Sequence, residues 1–326
     1  MTYRRIGFES AGIECDAWFF PGEPGPFDGP DGRPVVVMAH GFGGTKDSGL
    51  EPFAQRLSAA GLAVFAFDYR GFGASAGTPR QRVSMIGQAE DYCAALSAAA
   101  RQPGVDPNRL VAWGISLSGG HALTVGAGRR DICAVVAVVP LVNGLAAGRM
   151  AFGQVGAAAI AKSTVSSVRS ALAGRFGGNR VMMPLVGRPS DHAALTADGY
   201  YDAYTALAGP TWRNEVDSAI GLELGSYRAD RAAARLTAPV LMQIADFDRA
   251  APAHAAAKAG FAARAEVRHY PCDHFDLFAG APWFEAAVEH QVHFLVRHLG
   301  AGQREPAAGR SDTVDGSGDP ALHQGA

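Results

Sequence analysis

"WGISLSGG", residues 113–120, sets two serines two positions apart among three glycines. Read from Gly114 it is G-x-S-x-S around Ser116; read towards Gly120 it is S-x-S-x-G around Ser118. Each frame is one glycine short of the G-x-S-x-G elbow, in which a nucleophilic serine sits on a sharp turn between a strand and a helix. Small residues two before and two after that serine let strand and helix pass closely. The apolar run "LVAWGI" ends at Ile115, so Ser116 falls at the turn. Ser118 lies in the first helical turn, where no bend exposes its hydroxyl, yet it is small enough for the place it fills. The competing reading of Ser116 is a helix N-cap, a common use of serine. Ser116 is the candidate nucleophile.

Outward from that turn, strand-like runs alternate with Ala-rich helical stretches. This is the pattern of an α/β fold with a mainly parallel central sheet and helices on both faces. "RPVVVMAHG" (33–41), "LAVFAFDYRG" (62–71), "RLVAWGI" (109–115) and "ICAVVAVVPLV" (132–142) read as strands. They are nearly all apolar, as burial on both sheet faces requires. "GIECDAWFFPGE" alternates at period two and reads as an early edge strand. Helices are expected at 51–61, at 84–102 and directly after Ile115.

From Asn143 to about Arg235 no strand pattern stands out, and helical segments are separated by glycines and prolines. That length is too great for a loop. A helical cap inserted after one strand of the sheet is expected. Its Met182, Met183, Tyr200, Tyr201, Tyr204 and Trp212 should divide between cap core, the larger share, and an apolar wall over a pocket. Alternation resumes with "APVLMQIAD" (238–246), a helix near 253–264, the strand "AEVRHYPC" (265–272) and a last helix across 282–299. The expected division is a core domain of residues 1–142 and 236–300, a cap of residues 143–235, and a Gly/Pro/Ser-rich disordered tail, 301–326.

A nucleophilic serine needs a base within reach, an acid that orients the base, and donors for the oxyanion. With this elbow the acid and then the base follow at the ends of later strands. His269 lies inside the strand 265–272, whereas His274 sits in the loop after it and is the candidate base. Asp248 stands two residues further into its loop than Asp246, which can brace the turn; Asp248 is the candidate acid and Asp276 a distant third. "MAHGFGGTKDSG" (38–49) is glycine-rich, but Lys46 follows Thr45, so the phosphate-binding G-x-x-x-x-G-K-[ST] pattern fails. His-Gly after a central strand instead matches an oxyanion loop, with the backbone N–H groups of Phe42 and Leu117 as donors and His40 orienting the loop. "GFGASA" (71–76) fits G-x-G-x-x-A, with Asp91 where a dinucleotide fingerprint asks for an acid. Gly77-Thr78-Pro79 stands where its helix should begin and Asp91 falls mid-helix, so nicotinamide cofactors are excluded. His290 and His293 in "HQVHF" have no third metal ligand and read as a solvated face.

Lys+Arg 29 against Asp+Glu 31 gives a formal charge of −2 with no basic block, which leaves a nucleic-acid partner without electrostatic support. Cys15, Cys93, Cys133 and Cys272 lie far apart with no CxxC, as reduced thiols do. "MTYRRIGFES" lacks the apolar stretch of a signal peptide, and no apolar run is long enough to span a bilayer. The expectation is a cytoplasmic protein acting on a small molecule, without nucleic acid, membrane, metal or organic cofactor, its self-association left open.

With "HGFGGTKD", "FDYRGFGAS", "WGISLSGGH", "DFD" and "DHF" assembled, the chain resembles the α/β-hydrolase superfamily. It is similar to bacterial serine hydrolases of the Xaa-Pro dipeptidyl-peptidase and dienelactone-hydrolase groups, over roughly 30–142 and 238–299. The second group uses a cysteine nucleophile, so that likeness is to the fold. The resemblance implies Ser116 as nucleophile, His274 as base, Asp248 as orienting acid, and the Phe42 and Leu117 amides as oxyanion hole. It also implies hydrolysis of a carboxylic ester, thioester or amide through an acyl-enzyme. The alternatives on the same fold are acyl transfer or cyclisation, and ligand binding without turnover.

Overall fold

Eight strands form one sheet in the computed structural model, which describes residues 2–300; the expected tail at 301–326 lies outside the described residues. The first half of the chain runs through β1 (Arg4–Ser10), β2 (Ile13–Phe20), β3 (Arg33–Ala39), α1 (Glu51–Ala59), β4 (Ala63–Phe67), α2 (Met85–Ala99), β5 (Val105–Ile115), α3 (Leu117–Gly126) and β6 (Ile132–Val138). Then come α4 (Gly144–Arg175), β7 (Met182–Met183), α5 (Tyr200–Leu207), β8 (Val216–Asp217), α6 (Ile220–Leu224) and α7 (Ala229–Ala233). The chain returns to the sheet with β9 (Val240–Ala245), α8 (Ala253–Ala262), β10 (Glu266–Tyr270), a 3₁₀ turn at His274–Leu277 and α9 (Phe284–Leu299). The strand order is β1-β2-β4-β3-β5-β6-β9-β10. From β4 to β10 all neighbours are parallel, and β1 and β2 are added antiparallel.

Burial explains the strand compositions. Every residue of β4 and β9 is buried, and only Arg33 in β3 and Cys133 in β6 keep partial exposure, because helices cover both faces. Trp113 of β5 fixes one face: its ring packs on Phe53 of α1 and its Nε1 donates to Gln291 Oε1 of α9 at 2.9 Å. On the other side Tyr92 Oη of α2 shares its hydrogen between the carbonyls of Val37 and Trp113, at 2.8 and 2.7 Å. These bonds pin the central strands whose carboxyl ends lead into the candidate site.

Two expectations need correction. The strand at "GIECDAWFFPGE" is β2, second in the sheet, and the edge is β1, "RRIGFES", whose charged residues hide its alternation. The segment between β6 and β9 is helical, as expected, but β7 and β8 pair antiparallel within it, Met182 opposite Asp217 and Met183 opposite Val216. Two residues are too short to show a period. α4 breaks at Gly156, whose φ of 79° and ψ of 173° split it into two helical stretches. Among the described residues no helix is long and apolar enough to cross a membrane.

Candidate active site

Ser116 stands between the end of β5 and the start of α3 at φ 59° and ψ −122°, a conformation that L-residues avoid. Such strain costs about 1–3 kcal/mol and persists only where the surroundings over-determine it. Here Ser116 N donates to Val138 O at 2.8 Å, and Ser116 O accepts from Leu141 N at 2.9 Å and Gly119 N at 3.0 Å. The glycines beside the turn are required by space. A Cβ on Gly114 would sit 1.9 Å from Ser118 O, and one on Gly41 would sit 3.0 Å from Ser116 Cβ. Ser118 is fully buried; its Oγ donates to the His40 carbonyl and accepts from Tyr69 Oη at 2.8 Å. Its hydroxyl is therefore occupied in tying the elbow to the loop after β3. Of the two serines, Ser116 is the one that reaches a cavity.

The chain order continues with the loops after β9 and β10. His274 is buried, and its Nδ1–H donates to Asp248 Oδ2 at 2.7 Å. Asp248 Oδ1 accepts from the amides of Ala250 and Ala251, at 2.7 and 2.6 Å, so the carboxylate is fixed at both oxygens. With its proton on Nδ1, the ring keeps Nε2 as an acceptor. Asp246 turns away and pairs with His269 Nδ1 at 2.7 Å on the exposed side of β10. Asp276 bonds the Asp273 amide in the capping box of the 3₁₀ turn. Geometry thus separates three acids that spacing could only rank.

Ser116 and His274 line one cavity of about 30 Å³, with no hydrogen bond between their side chains among the described residues. That space holds about one water. Its wall is apolar: Phe42, Leu195, Tyr204, Leu207, Phe275 and Phe278. Leu195, Tyr204 and Leu207 come from the segment between β6 and β9. Tyr204 stacks on Trp212, with ring centroids 5.3 Å apart, and its Oη donates to Phe42 O at 2.9 Å. Tyr200 and Met183 are buried as well, while Met182 is exposed. Leu117 is the first residue of α3, so its amide has no intrahelical acceptor, and Phe42 borders the same cavity.

His40 is buried with Nδ1 3.0 Å from the Gly41 carbonyl, and burial lowers its pKa, so the ring stays neutral. Its own carbonyl is the group that Ser118 grips. Lys46 meets carboxylates: its Nζ lies 2.6 Å from Asp68 Oδ2 and 2.6 Å from Asp16 Oδ1, and its amide donates to Asp68 Oδ1. A Cβ on Gly73 would strike the Asp68 carboxylate at 2.2 Å. Both decoy glycine loops are therefore packed around one buried ion cluster, whose partners are too distant in sequence to leave a local signal.

Other residues escaped the sequence reading. His121, fully buried, lies 3.1 Å from Gln88 Oε1 through Nε2 and 3.1 Å from Tyr227 Oη through Nδ1. Burial lowers its pKa to about 3. Asp273 accepts from Tyr200 Oη at 2.8 Å and pairs with Arg249. Burial pushes its pKa up, but the His274 amide, Tyr200 and Arg249 outweigh that and leave it lowered. His290 is not simply solvated: its Nδ1 lies 2.8 Å from Tyr270 Oη.

A parallel-centred sheet that delivers a serine turn and then, in order, an aspartate and a histidine at its carboxyl end is that of an α/β-hydrolase. The chain belongs to the family described as Serine aminopeptidase, S33, which matches residues 30–275. It is similar to the quorum-quenching protein AidA of Acinetobacter baumannii (strain MDR-ZJ06), 34% identical over 296 residues, 90% of this chain and 94% of AidA. The thiohydrolase aneE of Aspergillus aculeatus is 36% identical over 110 residues, 34% of this chain and 35% of its own. The crystal structure of the α/β hydrolase GrgF from Penicillium sp. sh18 superposes with a TM-score of 0.72 at 21% identity, covering 92% of this chain and 99% of that one. Polyketide transferase grgF of Penicillium sp is 29% identical over 132 residues, 40% of this chain and 42% of its own. The chain is an enzyme of the α/β-hydrolase class.

Proposed function

We propose that the protein hydrolyses a carboxylic ester, thioester or amide of a moderately hydrophobic small molecule. Ser116 Oγ attacks the carbonyl carbon while His274 Nε2 takes its proton, and Asp248 holds the imidazolium. The amides of Phe42 and Leu117 bond the oxyanion; losing one such donor costs on the order of 10²–10³ in rate. His274 then gives the proton to the leaving group, which departs as the C–O, C–S or C–N bond breaks. Water attacks the acyl–Ser116 ester, its proton passes to His274, and the acid leaves as Ser116 regains its hydrogen. The observation that carries this reading is a buried His274, bonded to Asp248, that lines the same cavity as a strained Ser116. The apolar wall favours an uncharged acyl or ring-bearing group, and the thiohydrolase relative supports a thioester among the substrates.

In this reading residues 143–235 act as a cap on a core of residues 1–142 and 236–300, and the cap or its wall side chains move to admit substrate. A cytoplasmic setting fits the four free cysteines. Acyl transfer is a second reading, favoured by the polyketide transferase relative. Turnover of p-nitrophenyl esters of rising chain length, with and without a competing alcohol or amine, decides between them. Acid as the product supports hydrolysis; new ester or amide assigns transfer. Undiminished turnover by Ser116→Ala overturns both.

A further inference from the structure

The second stretch of α4 is inside out. The residues it buries are Ser167 and Ser170, while Val165, Val168, Leu172 and the following Phe176 are exposed, Phe176 at 79%. At helical spacing those four fall within an arc of about 80°. Lys162 and Arg169 lie along one side of that stripe and Arg175 along the other, all exposed. Before the kink at Gly156, Leu145, Phe152 and Val155 are exposed too, beside Arg149. From Gly144 to Arg175 the charged residues are these four cations, with no acid, in a chain whose formal charge is −2. None of the four has a salt-bridge partner among the described residues.

We propose that α4 lies on the surface of an anionic lipid bilayer. A helix whose apolar stripe is bordered by Lys and Arg binds in the interfacial plane, the apolar side chains entering and the cations meeting lipid phosphates. A contiguous exposed apolar patch of this kind marks an interaction surface. Charge decides the occupant: a second copy would set like-charged helices against each other, whereas an anionic leaflet complements them. The expectation of no membrane partner rested on the lack of a spanning run, which a surface-lying helix does not need. The position serves the site as well, since Gln154 Nε2 donates at 3.0 Å to the carbonyl of Arg249, next to Asp248. Docking through α4 brings the cavity's surroundings to the source of an apolar substrate.

The test is co-sedimentation of the full chain with vesicles of phosphatidylcholine alone or mixed equally with phosphatidylglycerol, at low and high salt. The expected result is binding to the mixed vesicles that weakens with salt and is absent or much weaker with phosphatidylcholine. Lys162→Glu/Arg169→Glu should weaken it roughly tenfold or more. Leu172→Glu/Phe176→Glu should abolish it, with unchanged melting temperature and unchanged turnover of a soluble short-chain ester. Failure of the parent to bind mixed vesicles, or equal binding by both variants, overturns the proposal. So does a concentration-dependent dimer in analytical ultracentrifugation that Leu172→Glu/Phe176→Glu dissolves, which would assign the face to a second copy.

Discussion

In β3, β4 and β6 the large apolar side chains are removed from water; in α4 the buried residues are Gly144, Ala147, Ser167 and Ser170, and Phe152, Leu172 and, just past its end, Phe176 stand exposed. The sheet is held by burial, at about 25 cal/mol for each Å² of apolar surface. The segment over it buries fewer large side chains, among them Leu185, Val186, Val216 and Ile220, and adds separate polar contacts. Tyr204 reaches the Phe42 carbonyl, Tyr200 reaches Asp273, Glu223 Oε2 accepts from the Met85 amide at 2.9 Å, and Tyr227 reaches His121. Each such bond contributes about 0.5–1.5 kcal/mol and can break singly. The difference suits a site whose reacting groups must stay fixed while its narrow cavity opens.

The largest effect should come from the fixed side. Asp248→Asn removes the acceptor that sets the His274 tautomer, and kcat should fall by roughly 10⁴. Asp246→Asn, which touches only the exposed His269 pair, should leave kcat near the parent's. Steady-state kinetics on one ester compares them, and equal losses would break the assignment. Next is the ion cluster beneath the loop. Lys46→Met leaves Asp68 buried without its cation and should destabilise the fold by about 3–5 kcal/mol in urea unfolding.

A pH effect follows from the buried histidines. Unfolded His titrates near 6.5 and folded His121 near 3, so below about pH 6.5 the unfolded state binds the extra proton. Stability should therefore fall as pH falls, by at most about 1.4 kcal/mol per unit for this residue, with His40 adding the same sign. His121→Gln should flatten the slope in urea unfolding followed from about pH 7 to pH 5. An unchanged slope would remove His121 from the account. The smallest change belongs to the covering segment: Tyr204→Phe loses one bond to the Phe42 carbonyl and should cost about 1 kcal/mol. Its expected signature is a change in KM larger than that in kcat, read from the same ester kinetics.

What was legible in the sequence was what is local. Gly114 and Ser116 declare the elbow because its steric demand falls within two residues of the nucleophile, and the central strands show because both their faces are buried. Asp248 and His274 could be placed at strand ends, but choosing between Asp246 and Asp248 depends on which imidazole each carboxylate meets across β9 and β10. Ser118 could be ranked behind Ser116 by its place in the first helical turn, yet its bond to His40 joins residues 78 apart and leaves no pattern. Lys46 and Asp68 are hidden in the same way. β1 was missed because its exposed charges mask its period, and β7 and β8 because two-residue strands have none. The exposed stripe of α4 reads as ordinary helix until burial shows that its small residues face in.

The central claim is that the strained serine, and not its neighbour, is the nucleophile that His274 and Asp248 serve. Labelling the full chain with a fluorophosphonate and mapping the modified peptide by mass spectrometry tests this most directly. The account predicts a single adduct on Ser116, lost in Ser116→Ala and strongly slowed in His274→Ala. An adduct on Ser118, or undiminished labelling of Ser116→Ala, would contradict it.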